Sequence, residues 1–89
     1  MFLQNIKIKD VKIEMGALVK GLRKQNKLTQ EELANALDLS RITIQNLESG
    51  KNFTIDTFLK VVKHFDMLKD FNDFVLKMKE SSTNLGSYY

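Results

Sequence analysis

Residues Thr29–Gly50 read TQEELANALDLSRITIQNLESG. Thr29 with Glu32 three residues on forms a capping box, in which the hydroxyl and the carboxylate each satisfy a backbone N–H at a helix start. Leu28 and Leu33 bracket that start at the spacing of a hydrophobic staple. The helix so opened runs to about Leu37. Asp38 takes the turn, because a short polar side chain tolerates left-handed backbone. Ser40 caps the next helix, Arg41 to about Leu47, and Ser49-Gly50 ends it. Two helices of about two turns each, joined by Leu37-Asp38-Leu39, cannot stand alone and must cross closely. Ala34 supplies the small side chain at the crossing. Ile44 and Leu47 point inward, and Leu33, Leu37 and Leu39 complete the wedge. The other face of the second helix keeps Arg41, Ile42, Gln45, Asn46 and Ser49, with one cation, two amides and no acid.

On the N-terminal side, Val11, Met15, Leu18, Val19 and Leu22 recur at three- and four-residue steps and predict a helix from Asp10. Asp10 is the expected cap, and Asn26 the expected left-handed terminator. Arg23, Lys24 and Lys27 sit at the negative end of its dipole. Residues 1–9 are expected to be an arm; the alternation Ile6-Lys7-Ile8-Lys9 is too short to define a strand. On the C-terminal side, Lys51-Asn52-Phe53 reads as a loop. Thr54 or Asp56 caps a fourth helix with Phe58, Leu59, Val62 and Phe65 inside. Asp66 to Asp70 is a polar break. A fifth helix follows from about Lys69 to Glu80, with Phe71, Phe74, Val75 and Met78 on one stripe. Residues 81–89 read as a frayed, flexible tail. The expected class is all-α, five short helices with no sheet, and residues 10–80 form one domain.

Composition limits the chemistry. The chain has 89 residues, room for one core. With 0 Cys and 1 His, thiolate sites, disulfides and paired-His metal motifs are excluded, and nothing calls for a cofactor. His64, at a helix end, reads as a dipole contact or a plainly exposed side chain. Asp66, Asp70 and Asp73 have the wrong spacing for a calcium loop. There is no phosphate-cradling glycine loop and no nucleophile–base pair, so no enzyme is expected. No apolar run approaches the length of a membrane span, and the first residues do not read as a signal peptide; the cytoplasm is the expected location. Net charge is +3, which permits a nucleic-acid partner without requiring one. Residues 1–28 carry a net +5 and residues 29–50 a net −3. A DNA-binding reading therefore rests on the motif and not on charge.

The motif supplies suitable groups. Arg pairs bidentately with guanine, Asn and Gln with adenine, and an exposed Ile meets a thymine methyl. Ser40, Thr43 and the N–H groups at the helix starts suit phosphate oxygens, as does Gln30. Lys27, Lys51 and Asn52 flank the unit and suit backbone charge. With its preceding Leu18-x3-Leu22-Arg23 and Leu28, the segment TQEELANALDLSRITIQNLESGK resembles the Cro/phage-repressor, or XRE-type, helix-turn-helix family over roughly Gly16 to Phe65. Asp38 departs from the usual turn glycine. The resemblance implies a compact five-helix, lambda-repressor-like DNA-binding domain with the helix-turn-helix at about 29–48. It implies that Gln30, Arg41, Ile42, Thr43 and Asn46 face double-stranded DNA, with Gln45 beside them. It also implies a structural pair between Arg23 and Glu48.

Two further expectations concern partners. The last third holds Phe58, Phe65, Phe71 and Phe74 amid many aliphatics, more apolar surface than one small bundle covers. A homodimer is the natural sink, and two-fold symmetry doubles the DNA contacts on a palindromic site. The function so implied is a sequence-specific regulator, a repressor acting by occupancy. The alternative comes from KNFTIDTFLKVVKHFDMLKDF, which is similar to HipB-like antitoxins that bind DNA and a kinase-type toxin. Controllers of restriction–modification systems and prophage repressors share the same motif. A basic amphipathic membrane helix over residues 10–28 is rejected, because Leu18 and Leu22 are needed to cover the wedge.

Overall fold

The computed structural model of the chain describes residues 5–86, with side chains described as far as Ser82. Its elements are α1 (Ile8–Gln25), α2 (Gln30–Ala36), α3 (Arg41–Glu48), α4 (Ile55–His64) and α5 (Leu68–Gly86). No strand occurs among the described residues. The all-α, five-helix expectation holds, and α2–α3 is the expected helix-turn-helix.

Helix starts follow the capping residues in the sequence. Glu32 N–H donates to Thr29 Oγ1 at 3.0 Å and Thr29 N–H donates to Glu32 Oε1 at 2.8 Å, which closes the capping box of α2. Ser40 accepts from Thr43 N–H at 3.1 Å to cap α3, and Thr54 accepts from Thr57 N–H at 3.2 Å to cap α4. At α1 the expectation is corrected. Asp10 is not the cap; its carboxylate accepts from Lys7 N–H at 3.0 Å, so the helix begins at Ile8, inside the expected arm. A carboxylate in the first turn satisfies the cap residue's own N–H and favours the positive dipole end just as well. Residues 1–4 of the arm lie outside the described residues.

Helix ends share one device. In α1 to α4 the residue after the C-cap is left-handed: Lys27 (φ 58°), Asp38 (57°), Gly50 (75°) and Asp66 (59°). Each closes the same pair of bonds, as where Leu39 N–H donates to Ala34 O at 2.8 Å and Asp38 N–H to Asn35 O at 3.2 Å. These bonds satisfy carbonyls that the helix leaves unpaired. Only one of the four positions is glycine. At the other three, the next residue is Leu28, Leu39 or Met67, each packed against the core, and that burial offsets the left-handed strain. The α1 terminator is thus Lys27, one residue later than expected; Asn26 instead donates its amide to Leu22 O at 2.8 Å. Asp38→Val should lower stability by about 1–2 kcal/mol, because a branched Cβ suffers in left-handed backbone, whereas Asp38→Gly should sit within about 1 kcal/mol of wild type. Urea titration of the two variants checks this ordering.

The core is Val19, Leu33, Ala34, Ile44, Leu47, Phe58, Val61 and Val62. Ala34 is buried where α2 and α3 cross, as expected. On α4, Val61 is buried while Leu59, and Phe65 just past the helix end, are only half-buried. The α1 stripe is split: Val19 is fully buried, but Val11 and Leu18 are exposed. Leu18 therefore does not cover the wedge, contrary to the expectation above. Helix α5 joins the body through an edge-to-face contact of Phe71 with Phe58, 5.9 Å between centroids. It continues past Glu80 to Gly86, so Ser81–Gly86 is helix where a frayed tail is expected; extending a formed helix adds a bond for each residue fixed. Residues 87–89 lie outside the described residues. The molecule measures 49 × 27 × 21 Å, long for its mass because α5 reaches outward from the α1–α4 body.

Candidate nucleic-acid interface

Helix α3 turns 100° per residue, which sorts its side chains. Ile44 and Leu47 are fully buried against α1 and α2. Ile42, Gln45, Asn46 and Ser49 lie on the opposite side. Arg41 and Thr43 stand on the two margins. Arg41, Ile42, Gln45 and Ser49 are exposed; Thr43 and Asn46 are half-buried. Ile42 is 63% exposed, an outward apolar residue. Arg41, Gln45 and Asn46 make no side-chain hydrogen bond among the described residues.

The groups around this face are more constrained. Ser40 and Thr43 share a hydroxyl–hydroxyl bond of 2.8 Å at the start of α3. Ser49 Oγ donates to Asn46 O at 3.0 Å, and Lys51 N–H donates to the same carbonyl at 2.8 Å. These bonds seat the turn that carries Lys51 and Asn52, both exposed. Gly50 rests on α1, where an added Cβ would lie 3.1 Å from Ile13 Cα and from Lys12 O. Asn52 is itself left-handed, at φ 41°.

The acid of α3 is withdrawn from the outward face. Arg23 Nε donates to Glu48 Oε2 at 2.6 Å and Arg23 Nη2 to Glu48 Oε1 at 3.0 Å, a bidentate pair. Arg23 Nη1 donates to Leu28 O at 2.8 Å. The Glu48 carboxylate, chiefly through this hydrogen bond, holds the Arg23 guanidinium above its ordinary pKa despite the opposing effect of burial. The structure thus contains the Arg23–Glu48 pair that the resemblance implies, and it ties α1 to α3. Gln30 joins the same group: its Nε2 donates to Glu48 Oε1 at 3.1 Å. Of the residues expected to meet DNA, Gln30 therefore has a structural bond as well, linking the start of α2 to the end of α3.

The fold brings Arg41, Ile42, Gln45, Asn46 and Ser49 onto one helix surface, with Ser40 and Thr43 at its beginning and Lys51 and Asn52 at its end. Gly16 is the residue that sequence reasoning missed. It is a point at which α1 touches the backbone of α3, and it sets how closely the two helices approach. Its signal is a glycine on the buried side of a helix, in line with Val19 and Arg23. His64 is exposed at the end of α4, its ring edge-on to Phe65 at 5.0 Å. No cluster of His, Cys, Asp or Glu able to hold a metal is present among the described residues, and no helix there is long and apolar enough to cross a membrane.

Comparison with curated proteins gives no match. A helix-turn-helix family model matches residues 19–69, from the middle of α1 through α2, α3 and α4 to the first turn of α5. Together with the geometry of α2 and α3, that match makes the chain a member of the XRE-type helix-turn-helix family of DNA-binding transcription regulators.

Proposed function

We propose that the protein is a sequence-specific repressor that binds a palindromic operator as a homodimer in the cytoplasm. The observation that carries this reading is the sorting of α3: among the described residues, the side chains of Arg41, Gln45 and Asn46 make no hydrogen bond, while Glu48, the one acid of α3, is drawn inward by Arg23. A helix of that composition suits the major groove. Arg41 and Asn46 read base edges, with Gln45 beside them and Ile42 against a thymine methyl. Ser40, Thr43, Ser49, Lys51 and Asn52 hold phosphates and fix the register. Gln30 reaches a phosphate with the amide atoms its Glu48 bond leaves free. Repression follows from occupancy, since a filled groove excludes other proteins from the site.

Selection from a random DNA pool, followed by anisotropy titration of the selected duplex, tests the reading. Arg41→Ala and Asn46→Ala should each cost about 1–3 kcal/mol on the selected site, roughly 5- to 150-fold, and much less on random DNA. Lys51→Ala should weaken both duplexes about equally and flatten the salt dependence by about one counterion. Absence of salt-dependent binding by the wild-type chain at low salt would falsify the proposal.

The exposed apolar side chains of α5, Phe74, Val75 and Met78, favour a second reading. On it, the protein is an antitoxin that also binds a kinase-type toxin and represses its own operon. The two readings share the DNA face. They separate on whether the product of the adjacent gene forms a stoichiometric complex with the purified chain.

A further inference from the structure

Two apolar patches lie along one flank of the molecule. The first is a groove of about 340 Å³ lined by Ile8, Val11, Met15, Phe53 and Ile55, with Lys12 as the one charged lining residue. Ile8 is 79%, Val11 47% and Ile55 54% exposed. The second is a ridge. Phe71, Phe74, Val75 and Met78 recur on α5 at the i, i+3, i+4, i+7 spacing of a helix that docks in a groove. Leu18 lies at its base, sharing a smaller cleft with Phe71 and Phe74. Phe74 is 56% and Met78 57% exposed.

We infer that the groove of one copy receives the α5 ridge of a second copy, reciprocally, in a two-fold exchange of helices. This rests on the homodimer part of the proposed function and specifies its interface. Area is the first support. With large side chains of ~150–200 Å² each, either patch leaves on the order of 300–400 Å² uncovered. A standard interface takes about 800 Å² from each partner. Neither patch alone reaches that figure, and the two together approach it. Shape is the second. One chain carries both a groove and a ridge, so an isologous pair, in which patch i meets patch j and patch j meets patch i, fills both grooves at once. The third is compatibility with DNA. At 100° per residue, Val11 and Leu18 lie about 140–160° round α1 from Gly16, the residue that touches α3. Ile8 and Met15 lie about 80–100° round from Gly16 and Lys12 about 40°, so the flank runs along the side and back of α1. Ile42, Gln45 and Asn46 line neither patch, and burying the flank leaves them free.

The native chain has 0 Cys, so introduced thiols report only on their own neighbours. Full-length Phe74→Cys or Met78→Cys is mixed with Ile8→Cys, Val11→Cys or Ile55→Cys and oxidised mildly, with light scattering on the wild type in parallel. All five positions are exposed, and circular dichroism verifies that each variant is folded. The expected result is a wild-type dimer, with disulfide-linked dimers in at least one ridge–groove mixture and few in any variant alone. A wild-type dimer in which only ridge cysteines link to each other overturns the exchange while leaving the homodimer standing. A dimer with no ridge–groove link in any mixture does the same. A wild-type chain that stays monomeric at high micromolar concentration overturns both. DNA binding is read separately, so its loss bears on neither outcome.

Discussion

Gly16→Ala should lose the cooperative unfolding transition or move it far down. An added Cβ at this position would lie 2.5 Å from Leu47 O, 2.6 Å from Glu48 O and 2.8 Å from Glu48 C. All three are backbone atoms in the last turn of α3, so no rotamer change relieves the clash. The helices must separate instead. Separation opens the packing of Val19, Ile44 and Leu47, each fully buried, and stretches the Arg23–Glu48 bonds about two helical turns further along α1. Overpacking of a core typically costs about 1–3 kcal/mol, and an unyielding backbone contact places this case at or above the top of that range. A domain of this size is stable by only about 5 kcal/mol or little more. Intrinsic helix preference has the opposite sign: alanine in a helix interior gains about 0.5–1 kcal/mol over glycine. Gly21 isolates that gain, because nothing lies within 4 Å of its added Cβ. Gly21→Ala should therefore raise the melting temperature by several degrees while Gly16→Ala loses the transition or moves it far down. A Gly16→Ala chain that melts with or above wild type would show that α1 and α3 do not approach as described.

Glu48→Ala carries the second large effect, a loss of about 3–5 kcal/mol. The Glu48 side chain is 4% exposed and that of Arg23 10%. Removing the carboxylate leaves a guanidinium under cover with Leu28 O as its remaining acceptor among the described residues, and deprives the Gln30 amide of its bond. The loss arises chiefly from the stranded charge and not from the net value of the pair. Arg23→Met combined with Glu48→Leu should therefore recover most of the stability that Glu48→Ala loses, because a packed apolar pair carries no desolvation cost. A double variant no more stable than Glu48→Ala would contradict this account. The pH dependence has a definite sign. The folded pKa of Arg23 is raised, so its contribution is complete below the ordinary arginine range and lost only as pH rises through the higher folded value. On the arginine side, stability is flat across neutral pH. Denaturation of wild type, Glu48→Ala and the double variant in urea at neutral pH measures the effects.

The split between what was legible and what was not follows the range of the forces. Thr29 and Ser40 cap their helices as their sequence positions imply, and of the two expected candidates for α4, Thr54 and Asp56, the cap is Thr54, because a hydroxyl acts on an N–H three residues away. Asp38 turns left-handed as expected. The Asp10 error is one of register within the same first turn, since two arrangements of one carboxylate satisfy the start of a helix equally. The outward residues of α3 were legible for the same reason: Ile44 and Leu47 define the buried side, and helical rotation assigns the rest. The Arg23–Glu48 pair was legible only through resemblance, since 25 residues separate the partners.

From its own order of residues, then, the chain determined its five helices, the turn between α2 and α3, and the identity of the side chains that face outward on α3, all of which depend on neighbours within about one turn. Tertiary structure decided the rest. It chose Gly16 as the contact between α1 and α3, bound Gln30 to Glu48, and left Val11, Leu18 and the outer face of α5 uncovered. Hydrophobic periodicity states that a side chain prefers burial; only the distance at which distant segments come to rest determines whether anything is there to bury it.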